Sequence, residues 1–482
     1  MSLIFHLKCG LLILGLAALV LICLSIHKQS HRHQASNSST TSTTPRPNIP
    51  KIVNYDDARK KFEVTLDEIK DYRENVNCAN LVESGKDYNT YKRAEKWHFN
   101  DVEYFDSFGT KTNICQEIAR KFSFVTEPMS QEEFEFPLAY SLLVHDNGVQ
   151  VLFLLSALYQ PQNQFCIAVD ESTNDEFKRQ MFQIGECFPN VFVMIIPKVR
   201  WCGFSVLQGV YSCVEYLARL KADWKYYQYL SGVDLPLKTN LEMVRIFKKL
   251  NGSFNAGIYD LPANRYKPNV SPPMVLWKSS LSATFSRESA NYMVHHPKVQ
   301  DLYEYLKGAL CPDETFWTTL AGNPADVQMP GGFNATLYKS KLTGDWDRLY
   351  ATNKTKLLSK ERIFDLFKPE KYYISRYQVW YTYNYRKLKY QCFGRFTAES
   401  CVFGVGDLPS LIKRPELVAH KFYHNMQPAA YFCLYEHIRR RALKAETNFS
   451  VDAYGELPGP KLLAGTPFEE IEFRAPGGYE FY

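Results

Sequence analysis

PLAYSLLVH (137–145), VQVLFLLSALY (149–159), FCIAVD (165–170), DEFKRQMFQIGECF (175–188), NVFVMII (190–196), FSVLQGVYSCVEYLARL (204–220), YYQYLSGVD (226–234) and LEMVRIFKKL (241–250) follow one another with only short gaps. PLAYSLLVH is an apolar run between a proline and Asp146-Asn147-Gly148, which reads as a buried strand ending in a turn. VQVLFLLSALY is long enough for a helix and stops at Gln160-Pro161. FCIAVD and NVFVMII read as two further strands, with Thr173 or Asn174 capping the helix between them. Leu207, Val210, Val214 and Leu217 recur at helical spacing, and YYQYLSGVD makes a fourth strand before the last helix. This alternation of short apolar strands and helices predicts an α/β fold, a mostly parallel sheet covered on both faces. Sheets of this kind bind ligands beyond the carboxyl ends of their strands, where Asp170 and Asp234 each close a run.

The segment lacks two familiar phosphate motifs. No GxGxxG follows the first strand and there is no GxxxxGK[ST], so dinucleotide and ATP sites have no sequence support, while a nucleotide-sugar site stays open. The 57 Lys and Arg against 51 Asp and Glu give a net charge of +6 spread along the chain. The one basic cluster, Arg439-Arg440-Arg441, reads as a solvated helix face, and nucleic-acid binding is not expected. Aromatics reach 15% of the chain; most belong to ordinary cores, although flat rings also stack on sugar faces.

Toward the N-terminus, CGLLILGLAALVLICLSI (9–26) carries no charge and at about 1.5 Å per residue just spans a hydrocarbon core of ~30 Å. A cleaved signal peptide and an uncleaved anchor compete for this run. Its length and the missing A-x-A-like site favour the anchor. Lys8 precedes it whereas Lys28 and Arg32 follow, which weakly opposes a cytoplasmic N-terminus, but everything downstream has a lumenal character. A Ser/Thr/Pro-rich stretch to residue 50 reads as an extended stem. N-x-S/T sequons stand at Asn37, Asn251, Asn269, Asn334, Asn353 and Asn448. The ten cysteines outside the anchor include no CxxC pair and do not cluster with His, which favours disulfides over zinc. The expected division is a cytoplasmic tail (1–8), signal anchor (9–26), stem (27–50), N-terminal lumenal region (51–130), catalytic domain (131–443) and C-terminal tail (444–482).

PLAYSLLVH, YQPQNQFCIAVD, CFPNVFV, ADWKYYQYLSGVDLPLKTNLEMV, CPDETFW (311–317), CVFGVGDL (401–408) and AHKF (419–422) occur in an order that resembles the core-2/I-branching β-1,6-N-acetylglucosaminyltransferases, glycosyltransferase family fourteen. The likeness runs from about Pro137 to Leu443. It implies a GT-A-like Rossmann-type fold in a Golgi type II membrane protein. It also implies inverting transfer of N-acetylglucosamine from UDP-GlcNAc to the 6-hydroxyl of a Gal/GalNAc-containing glycan, with no cofactor and no metal. The strand end IAVDES has no D-x-D, and Asp345-Trp346-Asp347 reads as a surface loop past Thr343-Gly344.

By the same resemblance Glu314 is the catalytic base, and flanking by Phe316 and Trp317 is expected to desolvate it. Taken alone, Pro312-Asp313-Glu314 reads rather as an acid-rich first helical turn. Lys421 matches a phosphate-contacting lysine, and His145, Asp170 and Asp234 match positions around the nucleotide and sugar. The family's second cation, an Arg three residues before the Cys of CVFGVGDL, is replaced by Ala398, leaving Arg395 as the nearest substitute. Between Asn251 and Trp277 the family's acceptor loop is shortened, with Arg265 and Tyr266 in its place; Trp380 lies near an acceptor-contacting Trp. The resemblance implies the pairs Cys78–Cys433, Cys115–Cys187, Cys166–Cys213 and Cys392–Cys401, with Cys202 and Cys311 either a fifth bridge or free. Two other readings compete: a peptide O-xylosyltransferase-like enzyme using UDP-xylose, and a catalytically weak sugar-binding relative, to which Ala398 points.

Overall fold

The computed structural model describes residues 50–83, 87–106, 113–353, 372–381, 392–445 and 448–473. The anchor and cytoplasmic tail, and all of the stem but Pro50, lie outside these residues, as do Asn37 and the side chain of Asn353. Among the described residues no helix is long and apolar enough to cross a membrane.

Four parallel strands form the centre: β1 (Leu138–Val144), β2 (Gln164–Asp170), β3 (Val191–Ile196) and β4 (Tyr226–Ser231), in the order β3-β2-β1-β4. Thr284–Ser286 adds an antiparallel edge beside β4. Ser141 stands opposite both Cys166 and Tyr229, so β1 is the middle of the sheet, which explains its near-continuous apolar run. Even-numbered β1 residues (Leu138, Tyr140, Leu142, Val144) face one core and Ala139 faces a second.

The first core holds helix Gly148–Leu158, in which every residue is buried. It is sandwiched against helix Pro428–Ala442: the Tyr431 hydroxyl donates to Gln150 O at 2.8 Å and Gln150 Nε2 donates to Phe422 O at 2.8 Å. Helix Tyr55–Asp67 lies over the same core through Phe62 against Tyr435, and Cys78–Cys433 ties the N-terminal region to helix Pro428–Ala442. The second core holds helix Phe204–Arg219, whose Gly209 lies so close to β3 that a Cβ there would collide with Ile196. Ile471 and Phe473, beyond the stretch that resembles the family, are buried in it. Residues from Pro50 onward thus group as one compact unit.

The cysteines pair as Cys78–Cys433, Cys115–Cys187, Cys166–Cys213 and Cys392–Cys401, with Cα separations of 5.1, 5.0, 5.5 and 5.9 Å. A fifth pair, Cys202–Cys311, has a Cα separation of 4.0 Å. Asn174, not Thr173, caps helix Asp175–Cys187, its side chain accepting the Phe177 N–H at 2.7 Å. Of the sequons, Asn251, Asn269 and Asn448 are exposed and Asn334 is half-buried.

Two local expectations differ from the structure. Asp234 does not close β4: the chain turns at Gly232-Val233, and Asp234 opens a separate strand, β5 (Asp234–Pro236). Asp345-Trp346-Asp347 lies within helix Ala335–Asn353 rather than in a loop, because one glycine lowers helix propensity without ending a helix.

Candidate active site

At the carboxyl edge of the sheet, the register Val144↔Val169 sets His145 beside Asp170. Asp170 is buried and accepts from the Ser172 N–H (2.7 Å), the Ser172 hydroxyl (2.8 Å) and the Val199 N–H (3.2 Å), so it pins the loops after β2 and β3. His145 is exposed, with Nε2 3.6 Å from Asp146.

Next to this edge, β5 pairs antiparallel with Val418–His420, which pairs parallel with Tyr377–Gln378. The register places Asp234, His420 and Gln378 side by side in one row. Alternation then sends Leu235, Ala419 and Tyr377 to the other face. Asp234 is 0% exposed. It accepts from His420 Nδ1 at 2.6 Å, the Ser231 N–H at 2.7 Å and the Ser231 hydroxyl at 2.9 Å. Burial opposes its charge, but His420, Arg376 and the Ser231 N–H outweigh burial and hold the carboxyl below its ordinary range. Burial, and then Arg376, push the His420 imidazole down. Both directions fit an aspartate accepting from a neutral His420 Nδ1–H.

Arg376, just before the Tyr377–Gln378 strand, is held by neutral acceptors: its Nη2 donates to Gln378 Oε1 at 3.0 Å and Ser280 Oγ at 3.3 Å. Its Nε is buried without a partner, and among the described residues no carboxylate lies within ion-pair distance. Lys421 is 7% exposed; its Nζ donates to Thr397 O at 3.0 Å, and burial pushes its ammonium down. Thr397 starts a tight turn in which Ala398 (φ 46°) and Glu399 (φ 61°) are left-handed, as two-residue hairpins require. Ala398 is therefore an exposed turn tip, and Arg395 sits three residues back on an exposed strand. The cation that the structure brings to the Asp234–His420 pair is Arg376.

Glu314 ends a 3₁₀ turn, Pro312–Glu314, that follows Cys311. Its backbone is fixed by the Ser279 N–H donating to Glu314 O at 2.6 Å. Phe316 and Trp317 do not sheathe the carboxylate as expected. Phe316 packs on Tyr211 and Tyr303, and Trp317 donates to Leu281 O at 2.7 Å and packs on Phe285, because both rings point into the core beneath. The carboxylate instead meets two cations through one oxygen: Glu314 Oε2 is 2.7 Å from Arg265 Nη1 and 3.4 Å from Lys278 Nζ. Beside it Asp313 is buried with Oδ1 unpartnered; burial, and then Glu314, push it up to about 7. Arg265 and Arg376 partly offset that rise at Asp313, and Arg376 also helps lower Asp234, so Arg376 acts on both carboxylate centres. Trp380 and Tyr266 are exposed.

Sequence reasoning missed Arg376, His420 and the Arg265–Glu314–Lys278 contact. His420 lay inside the AHKF block, one residue before Lys421, and was the one available signal.

The family described as Core-2/I-Branching enzyme matches residues 138–366. A human beta-1,3-galactosyl-O-glycosyl-glycoprotein beta-1,6-N-acetylglucosaminyltransferase is 30% identical over 364 residues, covering 70% of this chain and 78% of that protein. A mouse N-acetyllactosaminide beta-1,6-N-acetylglucosaminyl-transferase is 29% identical over 356 residues, covering 68% and 79%. A second human protein, named beta-1,3-galactosyl-O-glycosyl-glycoprotein beta-1,6-N-acetylglucosaminyltransferase 3, is 27% identical over 401 residues, covering 77% and 84%. With a parallel α/β core in place and likeness over most of its length, the chain belongs to the core-2/I-branching enzyme family and is a glycosyltransferase.

Proposed function

We propose that this chain transfers N-acetylglucosamine from UDP-GlcNAc to the 6-hydroxyl of a Gal/GalNAc-containing glycan, with inversion and without a divalent metal. We further propose that it works from a GT-A-like fold held on the Golgi membrane by the 9–26 anchor. The observation that carries the reading is the presence of one partly exposed carboxylate, Glu314, and of two cations, Arg376 and Lys421, that among the described residues are held by neutral oxygens with no carboxylate within ion-pair distance.

The reaction needs a base, a held donor and fixed positive charge for the departing diphosphate. Glu314 takes the proton from the acceptor hydroxyl as its oxygen attacks the anomeric carbon and the bond to UDP breaks. Lys421 and Arg376 meet the charge that collects on UDP, with Arg376 standing in for the cation absent at Ala398. Asp234, ionised and locked by Ser231 and His420, offers a fixed acceptor for donor-sugar hydroxyls. Asp170 supports the metal-free reading: both its oxygens are engaged by its own loops.

The test is turnover of UDP-GlcNAc by the full-length chain with Gal- and GalNAc-containing acceptors, with and without EDTA. The expected result is a glycan that gains an N-acetylhexosamine at C6, with most activity surviving chelation. Loss of activity with EDTA and its return with Mn²⁺ would overturn the metal-free part. Use of UDP-xylose on a peptide would replace the donor, and sugar binding without turnover would replace the enzyme by a binding relative.

A further inference from the structure

The base of this site faces an excess of positive charge. Arg265 and Lys278 share a single oxygen of Glu314, and among the described residues neither has another carboxylate within ion-pair distance. Two neighbouring carboxylates are engaged or masked: Asp260, on the strand paired with Trp277–Lys278, is paired with Lys339 at 2.8 Å, and Asp313, next to Glu314, is buried. All three members of the contact are largely withdrawn from water, with side-chain exposures of 14% for Arg265, 28% for Lys278 and 21% for Glu314. Solvent therefore screens them less than it would a surface pair. Lys278 is further held over the Tyr259 ring at 5.1 Å.

This arrangement is costly for a general base acting on a neutral sugar. The acceptor hydroxyl must reach the oxygen that Arg265 occupies. Once the proton arrives, Glu314 is neutral and the two half-buried cations keep only Asp313, whose charge burial opposes, as a neighbouring carboxylate. On the proposed reading the diphosphate is met by Arg376 and Lys421, which donate to neutral oxygens, and so is not assigned to compensate them. An anionic group on the acceptor resolves both difficulties: it draws the guanidinium off Oε2 and replaces the lost negative charge. Arg265 suits a planar, bidentate anion and Lys278 a point contact.

We propose that Arg265 and Lys278 form an anion subsite beside the base, and that the acceptor is an acidic glycan with a carboxylate or sulfate within about one sugar of the reacting hydroxyl. This rests on Glu314 being the base of a glycan-modifying enzyme. The subsite belongs to the 259–278 segment, where this chain has its own short loop: Arg265 lies in the Ala263–Arg265 turn, between the paired strands Tyr259–Asp260 and Trp277–Lys278.

The experiment compares matched disaccharides, a neutral Gal-GalNAc and the same unit bearing either an acidic sugar or a sulfate, on the full-length chain in detergent. Affinity is read by calorimetry and turnover with UDP-GlcNAc. The expected result is a preference of about tenfold for one or both anionic forms, falling steeply with added salt. Arg265→Gln and Lys278→Gln should each bring that ratio to within about threefold, and Arg265→Lys should retain part of it, while UDP affinity stays at the wild-type value. The carboxylate and sulfate arms identify which anion the subsite takes. Equal or better binding of the neutral sugar, binding of none of the glycans at millimolar concentration, or an Arg265→Gln chain that loses UDP affinity but keeps its anion preference would each overturn the proposal. A chain that binds acidic glycans selectively but turns over no UDP-sugar leaves the subsite standing and removes the transferase reading instead.

Discussion

Asp234, His420 and Gln378 are set by one row of hydrogen-bonded strands, whereas Glu314 is set by a single 3₁₀ turn and its partners Arg265 and Lys278 by a short turn and a two-residue strand. On the first side, backbone register fixes which side chains meet, and a one-residue slip would send every one of them to the other face. On the second side, contacts are made by side-chain reach across loops, so the loop can be rebuilt without disturbing the sheet. On the proposed reading this is a division of labour: the sheet side would hold the donor, and the loop side is where acceptor choice could change.

The largest effect is expected where the rigid side is broken. Asp234→Ala strands the Ser231 N–H and the half-buried His420 Nδ1–H, and should destabilise the chain by about 3 kcal/mol in urea unfolding. A loss no greater than that of a typical surface mutation would mean the row is not structural. The next largest concerns pH. Asp313 is pushed up to about 7 in the folded chain. The folded state therefore keeps a proton that the unfolded chain has lost above about pH 4. Stability contributed by this group is present below that pH and is lost as pH rises to about 7. Asp313→Asn should accordingly stabilise by roughly 2 kcal/mol at pH 8 and by little at pH 4. A variant with the same gain at both pH values would show that Asp313 does not titrate in this range.

Smaller effects sharpen the donor side. Arg376→Ala and Lys421→Ala should each weaken UDP binding about tenfold, close to 1.4 kcal/mol, and lower kcat as well. If Arg376→Ala leaves UDP affinity intact, the second cation lies elsewhere, with Arg395 the remaining candidate. The smallest effect is predicted for Ala398→Arg, which should leave turnover within about twofold because position 398 is an exposed, left-handed turn tip. A clear rise would show that this turn swings toward the donor.

The parallel sheet was legible because its strands are apolar runs between helices of the right period, and Asp170 was legible as a strand-end residue. Asp234 was misplaced by one element, since β5 has three residues and no periodicity of its own. Arg376 and His420 were invisible for the same reason. His420 meets Asp234 across a pairing between segments 186 residues apart, and Arg376 is held not only by Gln378, two residues on, but by Ser280, 96 residues away, which no local pattern encodes. Glu314 was legible through its block, but its environment was not. The adjacent Phe316 and Trp317 suggested an apolar sheath, whereas the carboxylate is reached across space by Arg265, 49 residues earlier. Gly344 suggested a loop where a helix runs on, since glycine weakens a helix without stopping it.

The most direct measurement is Glu314→Gln on the full-length chain, with UDP affinity and single-turnover transfer from UDP-GlcNAc measured side by side. The substitution keeps size and removes the base. It should therefore lower kcat by roughly 10²-fold or more while UDP binds as in the wild type. Transfer within a few-fold of wild type would contradict Glu314 as the base and, with it, the assignment of Arg265 and Lys278 to the acceptor.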